Sequence, residues 1–129
     1  MYRVGVRRPM DVGHYLVGDF GDETVPHRHD YVVEWICRRG GLDPNGFSID
    51  IAEMENCLET TSSDLAGKLL NDIPFFADMQ PSVENFARYV FVRLGGLGAE
   101  RGLPADVMRG AEVIVWENDS AWASYSDDL

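Results

Sequence analysis

Lysine is almost missing from this chain. Lys68 stands alone beside ten arginines, and these 11 basic residues face 22 Asp and Glu, for a net charge of -11. Without a basic footprint to grip phosphates, nucleic acid is excluded as a partner, and so is an anionic membrane surface. Cysteine is scarce as well. Two in 129 residues cannot build a disulfide scaffold, which fits a reducing compartment. No apolar run approaches the ~18–20 residues of a membrane span, and Met1 to Met10 contains no secretory h-region. The expectation is a cytoplasmic, soluble protein. Its 45% hydrophobic and 26% charged content suits a single core, so residues 1–129 are expected to form one domain.

The first part of the chain reads as strands. Asp30 to Arg38 alternates, with Tyr31, Val33, Trp35 and Cys37 on one face and Asp30, Glu34 and Arg38 on the other. Met1 to Val17 is apolar enough to partner it, and Pro9 marks either a bulge or a sheet edge. Gly18 to Pro26 between them is a polar loop, and Gly40 to Gly46 is a turn cluster. Helical spacing follows: Ile51, Met54, Cys57 and Leu58 recur behind a capping Asp50. Ser62 to Asp78 is expected to be irregular, with a helical patch at Leu65 to Leu70. Ser82 opens a second helix, whose face is Val83, Phe86, Ala87, Val90 and Leu94 and whose expected end is Gly95-Gly96. Ala111 to Glu117 and Ala121 to Tyr125 alternate around the turn Asn118-Asp119-Ser120. The order ββααββ predicts an α+β fold, an antiparallel sheet with two helices on one face.

The three histidines are the sharpest chemical feature. His27 and His29 lie two apart at the entrance to a strand, so their side chains share a face at roughly 6–7 Å. Two imidazoles at that spacing can converge on one Zn²⁺, with bonds of about 2.0–2.1 Å. His14, on the partner strand, is within reach as a third ligand. Three nitrogens and a free position are the pattern of a catalytic zinc. The H-x-H spacing alone favours solvated loop histidines, and it is His14 that brings the metal reading level with them.

At this point the motifs resemble those of the 6-pyruvoyltetrahydropterin synthase and 6-carboxytetrahydropterin synthase family of tunnelling-fold enzymes. Val12-Gly13-His14-Tyr15-Leu16 is similar to the family's small-small-His-x-Leu segment, and His27-Arg28-His29 to its H-G-H. Leu42 to Asp50 resembles the turn leading into the first helix. Leu70-Asn71-Asp72-Ile73-Pro74 matches L-N-D-I-P, and Pro81 to Ala87 is similar to P-T-x-E-N-x-A. Val115-Trp116-Glu117 resembles the strand that ends in a pterin-anchoring glutamate. The resemblance implies a four-stranded antiparallel sheet with two helices on one face. It also implies zinc on His14, His27 and His29, and a homo-oligomer, trimer or hexamer, with sites at subunit interfaces. Tyr89, Phe91 and Val92 on the second helix either serve contacts beyond its own sheet or belong to a wide buried face.

Two departures shape the functional expectation. Glu23 stands four residues before the H-x-H, where pyruvoyl-forming members carry a catalytic cysteine. Cys37 and Cys57 sit at core positions and do not replace it. The family's L-D-H segment, with its Asp-His proton relay, reads Leu65-Ala66-Gly67 here; Asp64 is out of register and there is no fourth histidine. Arg28, in place of the H-G-H glycine, should point to the opposite sheet face. Glu23 is the candidate acid/base, set against a plain loop carboxylate. Some relatives carry a glutamate nearby and cleave the pterin side chain to a 6-hydroxymethyl product. Glu117 is the candidate substrate anchor, since a carboxylate can accept both N–H groups of a 2-amino-pyrimidinone edge. The resulting expectation is a zinc-dependent lyase acting on a pterin or similar heterocycle. Two alternatives stand beside it: a zinc enzyme of specialised metabolism with a non-pterin substrate, and a non-catalytic, oligomeric ligand-binding module.

Overall fold

In the computed structural model, which describes residues 1–127, two long strands come first. They are β1 (Tyr2–His14) and β2 (His27–Arg39), paired antiparallel from Tyr2↔Arg39 to His14↔His27. Helices α1 (Ile51–Leu65) and α2 (Val83–Glu100) follow, then the short strands β3 (Glu112–Trp116) and β4 (Trp122–Ser126). The sheet order is β1-β2-β3-β4, antiparallel throughout, so the expected ββααββ arrangement is the observed one. Pro9 sits in an unbroken register on an edge strand, where its missing N–H costs no ladder bond; of the two readings, the edge applies.

Alternation decides which face is covered. Met10 and Val12 of β1, Tyr31, Val33, Trp35 and Cys37 of β2, and Val113 and Val115 of β3 are all buried on the helix side. Against them pack Met54, Cys57, Leu58 and Leu65 of α1 and Phe86, Ala87, Val90 and Leu94 of α2. Each fully buried side chain of this size stabilises the fold by about 1.5–3 kcal/mol over an exposed one. Among the described residues the other sheet face carries no helix and is dressed with charge. Arg28 pairs with Asp11 at 2.7 Å, on the face opposite the histidines as expected, and Arg7 pairs with Glu34 at 2.9 Å. No helix among the described residues is long and apolar enough to cross a membrane.

Both expected caps are made: Asp50 accepts from the Glu53 N–H and Ser82 from the Asn85 N–H, each at 3.2 Å. Among the strands, β1 stops at His14 instead of reaching Val17, so the loop starts at Tyr15, and β2 already begins at His27 rather than Asp30. Three further boundaries differ in the helical part. Helix α1 runs on through Ser62 to Leu65, because Leu65 completes its buried stripe. The expected patch at Leu65 to Leu70 is instead the end of α1, a turn, and a 3-10 turn at Leu70–Asp72. Helix α2 continues through Gly95-Gly96, since Leu94 and Leu97 both have core positions to fill and burial outweighs the ~1 kcal/mol a glycine costs in a helix. The true stop is Gly102, at φ +80°, with Leu103 N–H bonded to the Gly98 carbonyl and Gly102 N–H to that of Ala99. On α2, Tyr89 packs on Phe75 and Phe76 and Phe91 on Tyr125, so a wide buried face accounts for both, while Val92 is exposed.

Candidate metal centre

The covered face of the sheet ends in imidazoles. His14 closes β1 and His27 and His29 open β2, all on the alternation that elsewhere buries Val12, Tyr31 and Val33. The register that places His14 opposite His27 brings His14 Nε2 to 2.9 Å from His27 Nε2, and His29 Nε2 lies 3.1 Å from the latter. His14 is only 4% exposed. The rings stand edge to face, with centroids 4.6–4.9 Å apart.

The outer nitrogens of two of these rings are fixed by main-chain carbonyls. His14 Nδ1 is 2.7 Å from the Pro81 carbonyl oxygen and His27 Nδ1 is 2.8 Å from that of Val25. A carbonyl only accepts, so each Nδ1 carries the hydrogen and each neutral Nε2 presents a lone pair inward. Lone pairs at 2.9 Å repel one another unless a cation lies among them. The separations approach the ~3.3 Å edge of a tetrahedron with Zn–N bonds of about 2.0–2.1 Å. The donor set therefore fits a zinc ion, and orientation of ligand rings by second hydrogen bonds is what such centres use.

Glu23 joins the cluster. Its Oε2 is 3.1 Å from His27 Nε2, and the four donor atoms of His14, Glu23, His27 and His29 all lie within 4.8 Å of one another. It rides on a 3-10 turn, Gly21–Thr24, whose approach is held by side chains. The Asn71 carboxamide bonds both main-chain groups of Tyr15, at 3.0 and 2.9 Å, and the Gln80 carboxamide does the same for Val17, at 2.8 and 2.6 Å. Between them the Leu16 N–H donates to the Glu23 carbonyl at 2.7 Å. Neither this fastening nor the two orienting carbonyls was among the sequence expectations. Asn71 lies in the L-N-D-I-P segment, which was the one available signal.

Glu117 is exposed, one residue past the last β2–β3 pair, Val32↔Trp116, so it follows Val113 and Val115 onto the histidine side of the sheet. The His29 pKa is lowered, first by burial and then by the like charges of His14 and His27; Glu117 and Glu23 oppose that. Tyr31 stacks on His29 at 4.9 Å with its plane tilted 9°, and burial drives its phenol pKa well up. The segment at the place of the Asp-His pair lies against β1 beside the centre. Gly13 N–H donates to the Lys68 carbonyl at 3.0 Å, and a Cβ on Gly13 would come within 3.3 Å of Leu69 Cδ1. Ala66 and Gly67, at the sequence position of that pair, bring no proton-carrying group to it. Asp64 is turned away into a 2.8 Å pair with Arg93. Both cysteines are buried, and burial pushes the Cys37 thiol up to about 12 and the Cys57 thiol upward.

Comparison with known proteins agrees with this geometry. The sequence profile of 6-pyruvoyl tetrahydropterin synthase matches residues 3–128. A 6-pyruvoyl tetrahydrobiopterin synthase of Poecilia reticulata is 32% identical over 96 residues, 72% of this chain; the match spans 60% of that protein's length. The backbone is similar to that of Caenorhabditis elegans 6-pyruvoyl tetrahydropterin synthase, with a TM-score of 0.80 at 23% identity, covering 99% of this chain and 98% of the other. It is also similar to a Plasmodium vivax 6-pyruvoyltetrahydropterin synthase whose catalytic glutamate was replaced by alanine, with a TM-score of 0.75 at 14% identity and the same coverages. These solved structures share the tunnelling fold with this chain. Taken with a profile match over nearly every residue, this means that the chain belongs to the 6-pyruvoyl tetrahydropterin synthase family.

Proposed function

We propose that this chain is a zinc-dependent lyase acting on a pterin or a closely related heterocycle. The observation that carries the reading is the convergence of His14, His27 and His29 on one point, with two of the rings oriented by carbonyls. Zinc held there would polarise a substrate carbonyl or hydroxyl and so acidify the neighbouring C–H or O–H. The remaining work belongs to side chains. Glu23, with its carboxylate at the centre, takes that proton and returns it to the product. A Plasmodium vivax relative of the same fold also uses a glutamate in catalysis, which supports the residue type. Glu117, on the histidine side of the sheet, accepts the two N–H donors of the 2-amino-pyrimidinone edge and so orients the ring. His14 and His27 hold the ion and are kept in one tautomer by Pro81 and Val25.

Without an acid or imidazole at positions 66 and 67, the chain should be poor at forming 6-pyruvoyl- or 6-carboxytetrahydropterin. The same absence supports a second reading, a non-catalytic module that binds a heterocycle. The edge positions of β1 and β4, and a sheet face without helices among the described residues, support assembly into a homo-oligomer. The test is metal analysis followed by turnover of a pterin panel. Wild type should hold about one zinc per chain by the three-histidine pattern and His27→Ala none. At saturating zinc, Glu23→Ala should lose turnover and Glu117→Ala should raise KM. A zinc-loaded wild type that binds pterins without converting them would establish the module instead. Conversion of dihydroneopterin triphosphate to either tetrahydropterin at ordinary enzyme rates would refute the view that the missing relay matters.

A further inference from the structure

We propose that Glu23 is itself the fourth ligand of the resting centre, so that substrate reaches the metal by displacing a carboxylate. The inference rests on reading the three histidines as metal ligands, and it starts from the hydrogen inventory around His27. With its Nδ1 hydrogen given to the Val25 carbonyl, a neutral His27 has none on Nε2. Yet Nε2 has three neighbours: His14 Nε2 at 2.9 Å and Glu23 Oε2 at 3.1 Å offer it no hydrogen, and His29 Nε2 at 3.1 Å, whose Nδ1 no carbonyl fixes, can offer one at most. A single added proton could serve one of these contacts and would leave the other two uncompensated. A divalent cation compensates all of them at once. Once His27 Nε2 is committed to a metal, a carboxylate oxygen 3.1 Å away has no hydrogen to accept and shares the cation instead. The distance approaches the ~3.3 Å edge of a zinc tetrahedron.

The backbone that carries the carboxylate is also held in place. Glu23 hangs from Leu16, and Leu16 lies between the residues that Asn71 and Gln80 grip. Gln80 precedes Pro81, the residue that orients His14, so one segment fixes both the carboxylate arm and a histidine. At the same time the Glu23 side chain is 54% exposed, whereas His14 is deeply buried. Of the four groups, Glu23 has room to swing outward. A substrate oxygen taking the vacated position finds the released carboxylate beside it, ready to act as base. Ligand and base are then the same residue at successive moments.

The test replaces zinc by Co²⁺ and compares wild type with Glu23→Ala and Glu23→Gln, reading the visible spectrum and its response to azide. In wild type the spectrum should be that of a closed four-ligand centre and resist azide. In both variants the spectrum should shift, and azide should bind roughly tenfold tighter or better. Removing a residue that only hydrogen-bonds to a ligand costs about 10–100-fold in metal affinity. Loss of zinc affinity beyond that range in Glu23→Ala, by competition with a chromophoric chelator, marks a ligand. Circular dichroism checks that the variants are folded. Identical spectra and equal azide affinity across the three proteins would overturn the proposal and leave the three-histidine reading standing. A wild type that takes up no Co²⁺ would remove both.

Discussion

The helix-facing side of β1 and β2 has two ends that obey one alternation and hold opposite chemistry. Over most of its length it carries Met10, Val12, Tyr31, Val33, Trp35 and Cys37, all at most 1% exposed. At the last turn of the pattern the same positions become His14, His27 and His29. Hydrocarbon buried in the first region holds the fold together at ~25 cal/mol for each Å² removed from water. Imidazoles gathered in the second contribute little of that and repel one another without a cation. Tyr31 is the boundary, its ring stacked on His29 on one side and 5.4 Å from Phe86 on the other. Periodicity thus decides where a side chain points, and residue type decides whether that place supplies stability or chemistry.

The contrast can be broken from its hydrocarbon end first. Trp35 is the largest fully buried side chain, so Trp35→Ala should cost about 3–5 kcal/mol in urea unfolding. Zinc per folded chain should not change. A parallel fall in zinc stoichiometry would mean that the two regions are not separable.

A smaller effect sharpens the comparison through the two helix caps. Asp50→Ala and Ser82→Ala should each cost ~1 kcal/mol, since both lose one side-chain bond to a helix N–H. Only Ser82 adjoins Pro81, whose carbonyl orients His14. Zinc affinity, measured by chelator competition, should therefore weaken in Ser82→Ala and hold in Asp50→Ala. Equal affinities would show that the carbonyl stays in place without the cap.

Near neutral pH the smallest effect is that of the thiols. Burial raises the Cys37 pKa from 9.0 to about 12 and lifts that of Cys57 as well. The folded chain therefore keeps protons that the unfolded chain releases from about pH 9 upward. These groups contribute their full stability below pH 9 and lose it progressively as pH rises towards 12. Buried Tyr31, raised from 10.0, acts in the same direction. Unfolding midpoints should be flat from pH 7 to 8.5 with respect to these groups and fall beyond. Iodoacetamide should label neither cysteine at pH 8 until urea is added.

Much of this was legible in the sequence, for reasons that can be named. The strand faces followed from alternation, the helix starts from Asp50 and Ser82, and the histidine cluster from an H-x-H opposite His14 in an antiparallel pair. The end of α2 was not legible, because Gly95-Gly96 is a local stop signal and the packing of Leu94 and Leu97 is a tertiary fact. Nor was the place of Glu23. It depends on Asn71 and Gln80 bonding to backbone 56 and 63 residues away, and a backbone acceptor such as that of Pro81 or Val25 has no signature in the sequence.

The loop over the histidines is fastened by bonds to its own main chain, and that leaves its large apolar side chains, unlike Glu23, unengaged. Val17, Phe20 and Val25 all stand in solvent. The amide pairs ask nothing of residues 15 to 17 beyond a free N–H and C=O, which any residue but proline supplies. Descendants of this chain could therefore rewrite what the loop displays to an incoming molecule while keeping the same latch. A binding surface built this way can drift toward new ligands without first having to refold.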